Sequence, residues 1–133
     1  MRIRVGIVGY GRIGQFLVDA LLSDPILMSK FEIAFVWNRT YDAVERETRL
    51  HDDQKLMHLR DFHRYGAHLI VEVAHPDIVK DFGKDFLLHA HLLIGSPTAF
   101  ADEEVEASLR DASQHHAVYI PSGALWYVLC FLL

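Results

Sequence analysis

The sequence has little cysteine, no concentration of basic charge and no apolar run long enough to span a membrane. Its single cysteine, Cys130, excludes an intramolecular disulfide, which is typical of a reducing compartment, and we expect a cytoplasmic location. The 13 Lys and Arg are outnumbered by 18 Asp and Glu and form no basic run, so we expect no nucleic-acid partner. The apolar tail at 124–133 is shorter than the about 20 residues that a bilayer-spanning helix needs, so we expect no membrane partner.

The sequence does contain a regular alternation of strand and helix patterns. Apolar runs rich in β-formers, such as FEIAFVWN at 31–38 and HLIVEVA at 68–74, alternate with amphipathic segments of helical period. The tripeptide SDP at 23–25 is expected to end the first helix, and the polar stretch after the second strand to hold a short helix near 41–49 and a short strand near 58–62. We therefore predict an α/β, Rossmann-type fold, with a doubly wound, mainly parallel sheet and helices on both faces.

Three glycines in the stretch GYGRIG, 9–14, follow the first strand pattern and precede the first helix pattern. In a βαβ unit this turn lies at a helix N-terminus, where free N–H groups and the helix dipole attract a pyrophosphate. Gly9 would permit the tight turn, Gly11 the approach of the phosphates, and Gly14 the close packing of helix on strand. A glycine-rich turn without a ligand is the alternative, but its position between strand and helix favours dinucleotide binding.

The end of the second strand pattern, WNRT at 37–40, indicates which dinucleotide is bound. An acidic residue there would bind the ribose 2′-hydroxyl of NAD, and the stretch contains none. Arg39 is instead expected to bind the 2′-phosphate of NADP, with Asn38 and Thr40 donating hydrogen bonds. In the alternative interpretation Arg39 is only solvated. We predict NADP as the preferred cofactor and NAD as a second one.

Three further motifs accompany the glycine-rich turn: IVEVAHP at 70–76, GSPTAFAD at 95–102 and PSGALW at 121–126. In this order the four motifs resemble the N-terminal half of the L-aspartate dehydrogenases, and most closely the animal aspartate dehydrogenase domain-containing proteins. The resemblance covers about residues 3–126. It implies an NAD(P)-dependent oxidoreductase that converts L-aspartate to iminoaspartate, which gives oxaloacetate and ammonia. An amino-acid substrate is therefore expected in the complete protein.

The resemblance also implies where the domain ends. In the family, the last motif leads into a second domain with the catalytic His and most of the substrate pocket, whereas here it is followed by YVLCFLL at 127–133. We expect a dinucleotide-binding domain at 1–123 and an apolar tail at 124–133, in a truncated chain that is inactive by itself. The tail is expected to promote a homodimer. A dehydrogenase domain and an inactive NADP-binding module both stay open, beside a less favoured methyltransferase.

The resemblance implies that the AHP and SPTA motifs line the ribose and nicotinamide side of the cofactor, and that a Gly-Ala pair contacts the dinucleotide. The predicted cofactor-binding residues are Gly9, Tyr10, Gly11, Arg12, Ile13, Gly14, Asn38, Arg39, Thr40, Ala74, His75, Pro76, Ser96, Thr98, Gly123 and Ala124. Because all these segments follow strands, we expect them to gather at the carboxyl edge of the sheet.

Nine histidines raise the questions of catalysis and of metal binding. His75 ends a buried strand pattern and is the one candidate for proton transfer, although it would serve equally as a helix-entry residue that touches ribose. We therefore predict no catalytic residue in this chain. The pairs His89/His91 and His115/His116 have no Cys or acid at zinc spacing, so we predict no metal site.

Hydroxyl and carboxyl groups near the same edge have structural interpretations. Ser96, Thr98 and Ser122 lack the GxSxG context that activates a serine, which argues against a hydrolase. Glu72 falls inside a strand pattern, where a carboxylate is costly unless it is paired or lies at the wet end of the strand. We expect Glu72 to be structurally paired.

Overall fold

A six-stranded sheet forms the centre of the computed structural model, which describes residues 1–121. Its strands are β1 (Ile3–Val8), β2 (Phe31–Trp37), β3 (Lys55–Leu56), β4 (Leu69–Glu72), β5 (His91–Ile94) and β6 (Val118–Tyr119). The spatial order is β3-β2-β1-β4-β5-β6, and every neighbouring pair is parallel. This is the Rossmann strand order, with the reversal between β1 and β4. The predicted fold class is confirmed.

Helices cover both faces of this sheet, as predicted. They are α1 (Arg12–Ser23), α2 (Pro25–Lys30), α3 (Tyr41–Glu45), α4 (Pro76–His89) and α5 (Glu103–Ala112). Successive strand residues point to opposite faces, so Ile7 packs in one apolar cluster with α1, and Val8 in a second cluster with α4 and α5. Strands buried on both sides explain why their sequences are apolar throughout.

One local prediction is confirmed with an addition, and one is wrong. SDP does end α1, but the same residues also begin α2, because the Asp24 carboxylate accepts hydrogen bonds from the N–H groups of Ile26 and Leu27. The strand expected near 58–62 is wrong: the strand is β3, and 59–65 is a 3₁₀ helix. Leu59 and Phe62, three residues apart, both turn into the core, which a helical turn permits and a strand does not.

Candidate functional site

Two positions in the turn between β1 and α1 must be glycine because of close contacts within the protein. Gly9 has φ of 118°, and a Cβ there would lie 2.8 Å from the backbone N of Ala74 and the backbone O of Val73. A Cβ on Gly14 would overlap the carbonyl oxygen of Gly9. The glycine-rich turn is therefore pressed against both the segment after β4 and the first turn of α1.

Gly11, in contrast, has no such internal reason to be glycine. It is exposed, its φ of −82° suits any residue, and a Cβ there would have nothing within 4 Å. It is the N-cap of α1, with no side-chain capping bond and no acidic residue in the first turn. The side chains of Asp24, His75 and Asp102 cap three other helices. The start of α1 thus keeps free N–H groups and open space, as a bound phosphate requires.

A cleft of about 260 Å³ opens at the carboxyl ends of the strands, beside this turn. Its lining residues are Gly9, Tyr10, Gly11, Trp37, Asn38, Arg39, Val73, Ala74, His75 and Ile78. The cleft lies between the segments that follow β1, β2 and β4, where a doubly wound sheet binds its ligand. Seven predicted site residues line it. The predicted site residues within 1–121 that do not line the cleft are Arg12, Ile13, Gly14, Thr40, Pro76, Ser96 and Thr98.

At the end of β2, the structure separates the roles of Asn38 and Arg39. The Asn38 side chain accepts a hydrogen bond from the Tyr10 N–H (3.0 Å) and donates one to the Thr40 carbonyl (3.0 Å), so it fastens the glycine-rich turn to β2. Arg39 is exposed, lines the cleft, and forms no ion pair or side-chain hydrogen bond with residues 1–121. Its guanidinium is therefore available to a ligand.

Tyr10 lines the cleft, and its side chain also forms an anchor to a segment far away in the sequence. The phenol is 7% exposed and donates to the Glu47 carboxylate (2.6 Å), which also accepts from the Arg49 Nε (2.9 Å). Burial, reinforced by Glu47, raises the pKa of Tyr10 to about 12. Hydrogen bonds from Arg49 and Tyr10 lower the pKa of Glu47 to about 2. Sequence reasoning missed this anchor, because Glu47 lies 37 residues from Tyr10 in a weakly patterned segment.

Glu72 fastens two other loops at the same edge of the sheet. It ends β4 with 0% exposure, and one carboxylate oxygen accepts from the N–H of Ala74 (2.9 Å), the N–H of His75 (3.0 Å) and the hydroxyl of Ser96 (2.9 Å). The other oxygen accepts from the Ser96 N–H (3.3 Å). Burial raises the pKa of Glu72, although these hydrogen bonds oppose the shift. The expected structural pairing is found, with N–H and O–H donors instead of a cation.

The structure places His75 at the cleft and gives two of the other predicted histidines hydrogen bonds to the backbone. His75 lines the cleft and caps α4, because its Nδ1 accepts from the Asp77 N–H (3.2 Å), which favours its interpretation as a helix-entry residue. Of the metal candidates, His91 accepts from the Ala117 N–H and His116 donates to the Leu87 carbonyl. Residues 1–121 contain no group of three His, Cys, Asp or Glu side chains placed to hold a metal ion.

The structure describes some of the predicted hydroxyl and cofactor-contacting residues and not others. The Ser96 hydroxyl is committed to Glu72, and Thr98 is exposed. Ser122, Gly123 and Ala124 lie outside the described residues. Among the helices of residues 1–121, none is both long and apolar enough to cross a membrane.

The comparison with protein families agrees with this geometry. A family described as the NAD-binding domain of homoserine dehydrogenase matches residues 9–121, which include the glycine-rich turn and the whole lining of the cleft. The match begins at the glycine whose positive φ shapes the turn.

The individual proteins to which this chain is similar include proteins named for aspartate dehydrogenase. An aspartate dehydrogenase domain-containing protein of Danio rerio is 48% identical over 93% of this chain and 45% of the relative. An L-aspartate dehydrogenase of Methanocaldococcus jannaschii is 29% identical over 92% of this chain and 46% of the relative. The crystal structure of aspartate dehydrogenase from Thermotoga maritima shares the fold, with a TM-score of 0.59 at 24% identity, over 97% of this chain and 50% of that one. The chain thus spans about half the length of these proteins.

Proposed function

The chain belongs to the family of NAD-binding domains described for homoserine dehydrogenase, and from this premise we propose that its cleft binds NADP in preference to NAD. The observation that carries dinucleotide binding is Gly11, where a Cβ would have no protein atom within 4 Å, at a helix start without a side-chain cap. The space is left free on the path of a ligand, and the N–H groups around it suit a pyrophosphate.

The other cleft residues follow from that position of the pyrophosphate. Arg39, without a partner in residues 1–121, takes the 2′-phosphate on the β2 side, where no acidic side chain repels it. The nicotinamide half extends over the ends of β4 and β5, along Ala74 and His75 and towards Ser96. When bound, the cofactor supplies the hydride acceptor, and these residues orient it.

We further propose that the cofactor serves the oxidation of an amino acid, L-aspartate, in a protein of the relatives' length. The support is the 48% identity to an aspartate dehydrogenase domain-containing protein, over about half of that relative. Hydride transfer needs the substrate carbon held roughly 3 to 3.5 Å from the nicotinamide, which takes groups on both sides of the ring. The described chain offers one side. We expect the 133-residue chain to bind cofactor without measurable aspartate dehydrogenase activity.

Location and assembly also belong to the proposal. The lone cysteine supports a reducing, cytoplasmic location. A homodimer is supported by the apolar tail in the sequence and by Tyr119 and Ile120, which are 41% and 51% exposed at the edge strand. Sedimentation of the chain with and without residues 124–133 tests the dimer, and a monomeric mass for the full 133-residue chain would contradict it.

The experiment that tests the cofactor proposal is titration of the 133-residue chain with NADP and NAD, followed by fluorescence or calorimetry. Gly11→Val should fold, because its Cβ would have no protein atom within 4 Å, yet lose at least about tenfold in affinity for both cofactors. The matched control is Phe16→Val, a valine at a position 56% exposed on the same helix, which should bind normally. A folded Gly11→Val chain with unchanged affinity would contradict the proposal.

A further inference from the structure

Glu72 is the one charged side chain that is fully buried among residues 1–121, and it has no cation partner there. Its contacts are three backbone N–H groups and one hydroxyl, all of which can donate to it. The three N–H groups can only donate, so they stabilise the ionised carboxylate, against the cost of burying it. The fold therefore keeps a negative charge below the surface at the carboxyl edge of the sheet.

The position of this charge relative to the cleft follows from its hydrogen bonds. Glu72 bonds the N–H groups of Ala74 and His75, and both of these residues line the cleft. It also bonds Ser96, at the end of the neighbouring strand β5. The carboxylate thus lies directly behind the wall on the β4 and β5 side, across the cleft from Arg39. A dinucleotide with its pyrophosphate at Gly11 places its nicotinamide half on this side.

We propose that Glu72 makes the cleft discriminate between the two redox forms of the cofactor and favour the oxidised one. This inference rests on the proposed cofactor function. The oxidised nicotinamide ring carries a positive charge, and the reduced ring is neutral, while the rest of the molecule is the same. A fixed negative charge behind the ring therefore stabilises one form and not the other. Burial keeps that attraction from being screened by salt.

Exposed charges at the same edge do not provide this discrimination. The Asp77 side chain is 68% exposed. Arg12 and Arg39 are exposed as well. Solvent and salt screen these three groups at physiological ionic strength. Asp77 therefore offers a matched control, since Asp77→Asn removes the same formal charge from the same edge without removing a buried one.

The test is to measure the dissociation constants of NADP⁺ and NADPH for the 133-residue chain, at neutral pH and at roughly 0.3 M salt, where the Debye length is below about 8 Å. The wild-type chain should bind the oxidised form more tightly. Glu72→Gln should shift the ratio of the two constants towards the reduced form by on the order of tenfold, and Asp77→Asn by less than about twofold. A purely structural role would weaken both forms equally in Glu72→Gln, and that result would overturn the inference.

Two further results keep the inference falsifiable if Glu72→Gln does not fold. A wild-type chain that binds NADPH as tightly as NADP⁺ would overturn it without any variant. Glu72→Asp keeps the negative charge on a shorter side chain. It should therefore still bind NADP⁺ more tightly than NADPH, even where both affinities fall. Loss of that preference in Glu72→Asp would count against the inference. Failure of the wild-type chain to bind either form would overturn the cofactor proposal itself, together with this inference.

Discussion

Glu47 and Glu72 each fasten loops around the same cleft, yet their surroundings shift their pKa values in opposite directions. Glu47 holds the glycine-rich turn through Tyr10, and Arg49 lowers its pKa to about 2. Glu72 holds the loops after β4 and β5, and burial without a cation raises its pKa. The comparison teaches that a carboxylate anchored by a cation costs little to ionise, whereas a buried one anchored by N–H groups and a hydroxyl is costly to ionise.

The largest effect is expected from removing the buried anchor. Glu72→Ala leaves three backbone N–H groups and a hydroxyl without their acceptor in the core, and should lower the free energy of unfolding by about 4 kcal/mol. Glu72→Gln keeps an acceptor oxygen and is the matched control, with a loss of about 1 kcal/mol. Denaturant unfolding followed by circular dichroism measures both. Equal losses of unfolding free energy in Glu72→Ala and Glu72→Gln would show that the charge of Glu72, and not its acceptor oxygens, holds the loops.

A smaller effect is expected from the second anchor. Tyr10→Phe removes the bond to Glu47 but keeps the buried ring, and should destabilise the chain by about 1.5 kcal/mol in the same unfolding experiment. Because Glu47 retains Arg49, no charge is left without a partner. Tyr41→Phe, at a phenol that forms no side-chain hydrogen bond within residues 1–121, is the control. A loss as large as that of Glu72→Ala would remove the distinction between the anchors.

Arg39 and Arg49 differ in whether they have a partner within the protein, and cofactor binding can test that difference. Arg49 is committed to Glu47 and Asp19, whereas Arg39 has no partner in residues 1–121. Arg39→Ala should therefore weaken NADP binding roughly tenfold, about 1.4 kcal/mol, and leave NAD binding within about twofold. Arg46→Ala removes the same charge from an exposed position and should leave the NADP to NAD ratio unchanged. An unchanged ratio in Arg39→Ala would contradict the assignment of the 2′-phosphate.

The smallest effect, below roughly 1 kcal/mol per pH unit, is expected in the pH dependence of stability. Glu47 has a lowered pKa in the folded state, so its contribution is present above pH 4.5 and lost as pH falls towards 2. Glu72 has a raised pKa, so the folded state holds its proton longer than the unfolded one, and stability declines as pH rises above 4.5.

Unfolding of the wild type, Glu47→Gln and Glu72→Gln across pH separates the two anchors. The advantage of the wild type over Glu47→Gln should shrink on acidification below pH 4.5, and its advantage over Glu72→Gln should shrink as pH rises above that value. Parallel pH profiles for the two variants would contradict the opposite shifts.

Much of the fold was predictable because its determinants are local and periodic. The alternation of apolar strands with amphipathic helices indicates a parallel sheet, and the spacing of Gly9, Gly11 and Gly14 marks the turn at its switch point. The short strand β3 was misplaced, because two residues carry too little pattern and their pairing with Val36 and Trp37 decides the position.

The sequence by itself determined the alternation of the longer strands and helices, the residues of the turn and the presence of a cation after β2, because each is encoded within a few neighbouring positions. Only the tertiary structure decided that Gly9 and Gly14 are required by the protein's own packing while Gly11 leaves open space. It also decided that Tyr10 turns away to Glu47 and that Glu72 gathers Ala74, His75 and Ser96. These contacts join residues up to 37 positions apart, and their chemistry depends on burial, which a one-dimensional pattern does not contain.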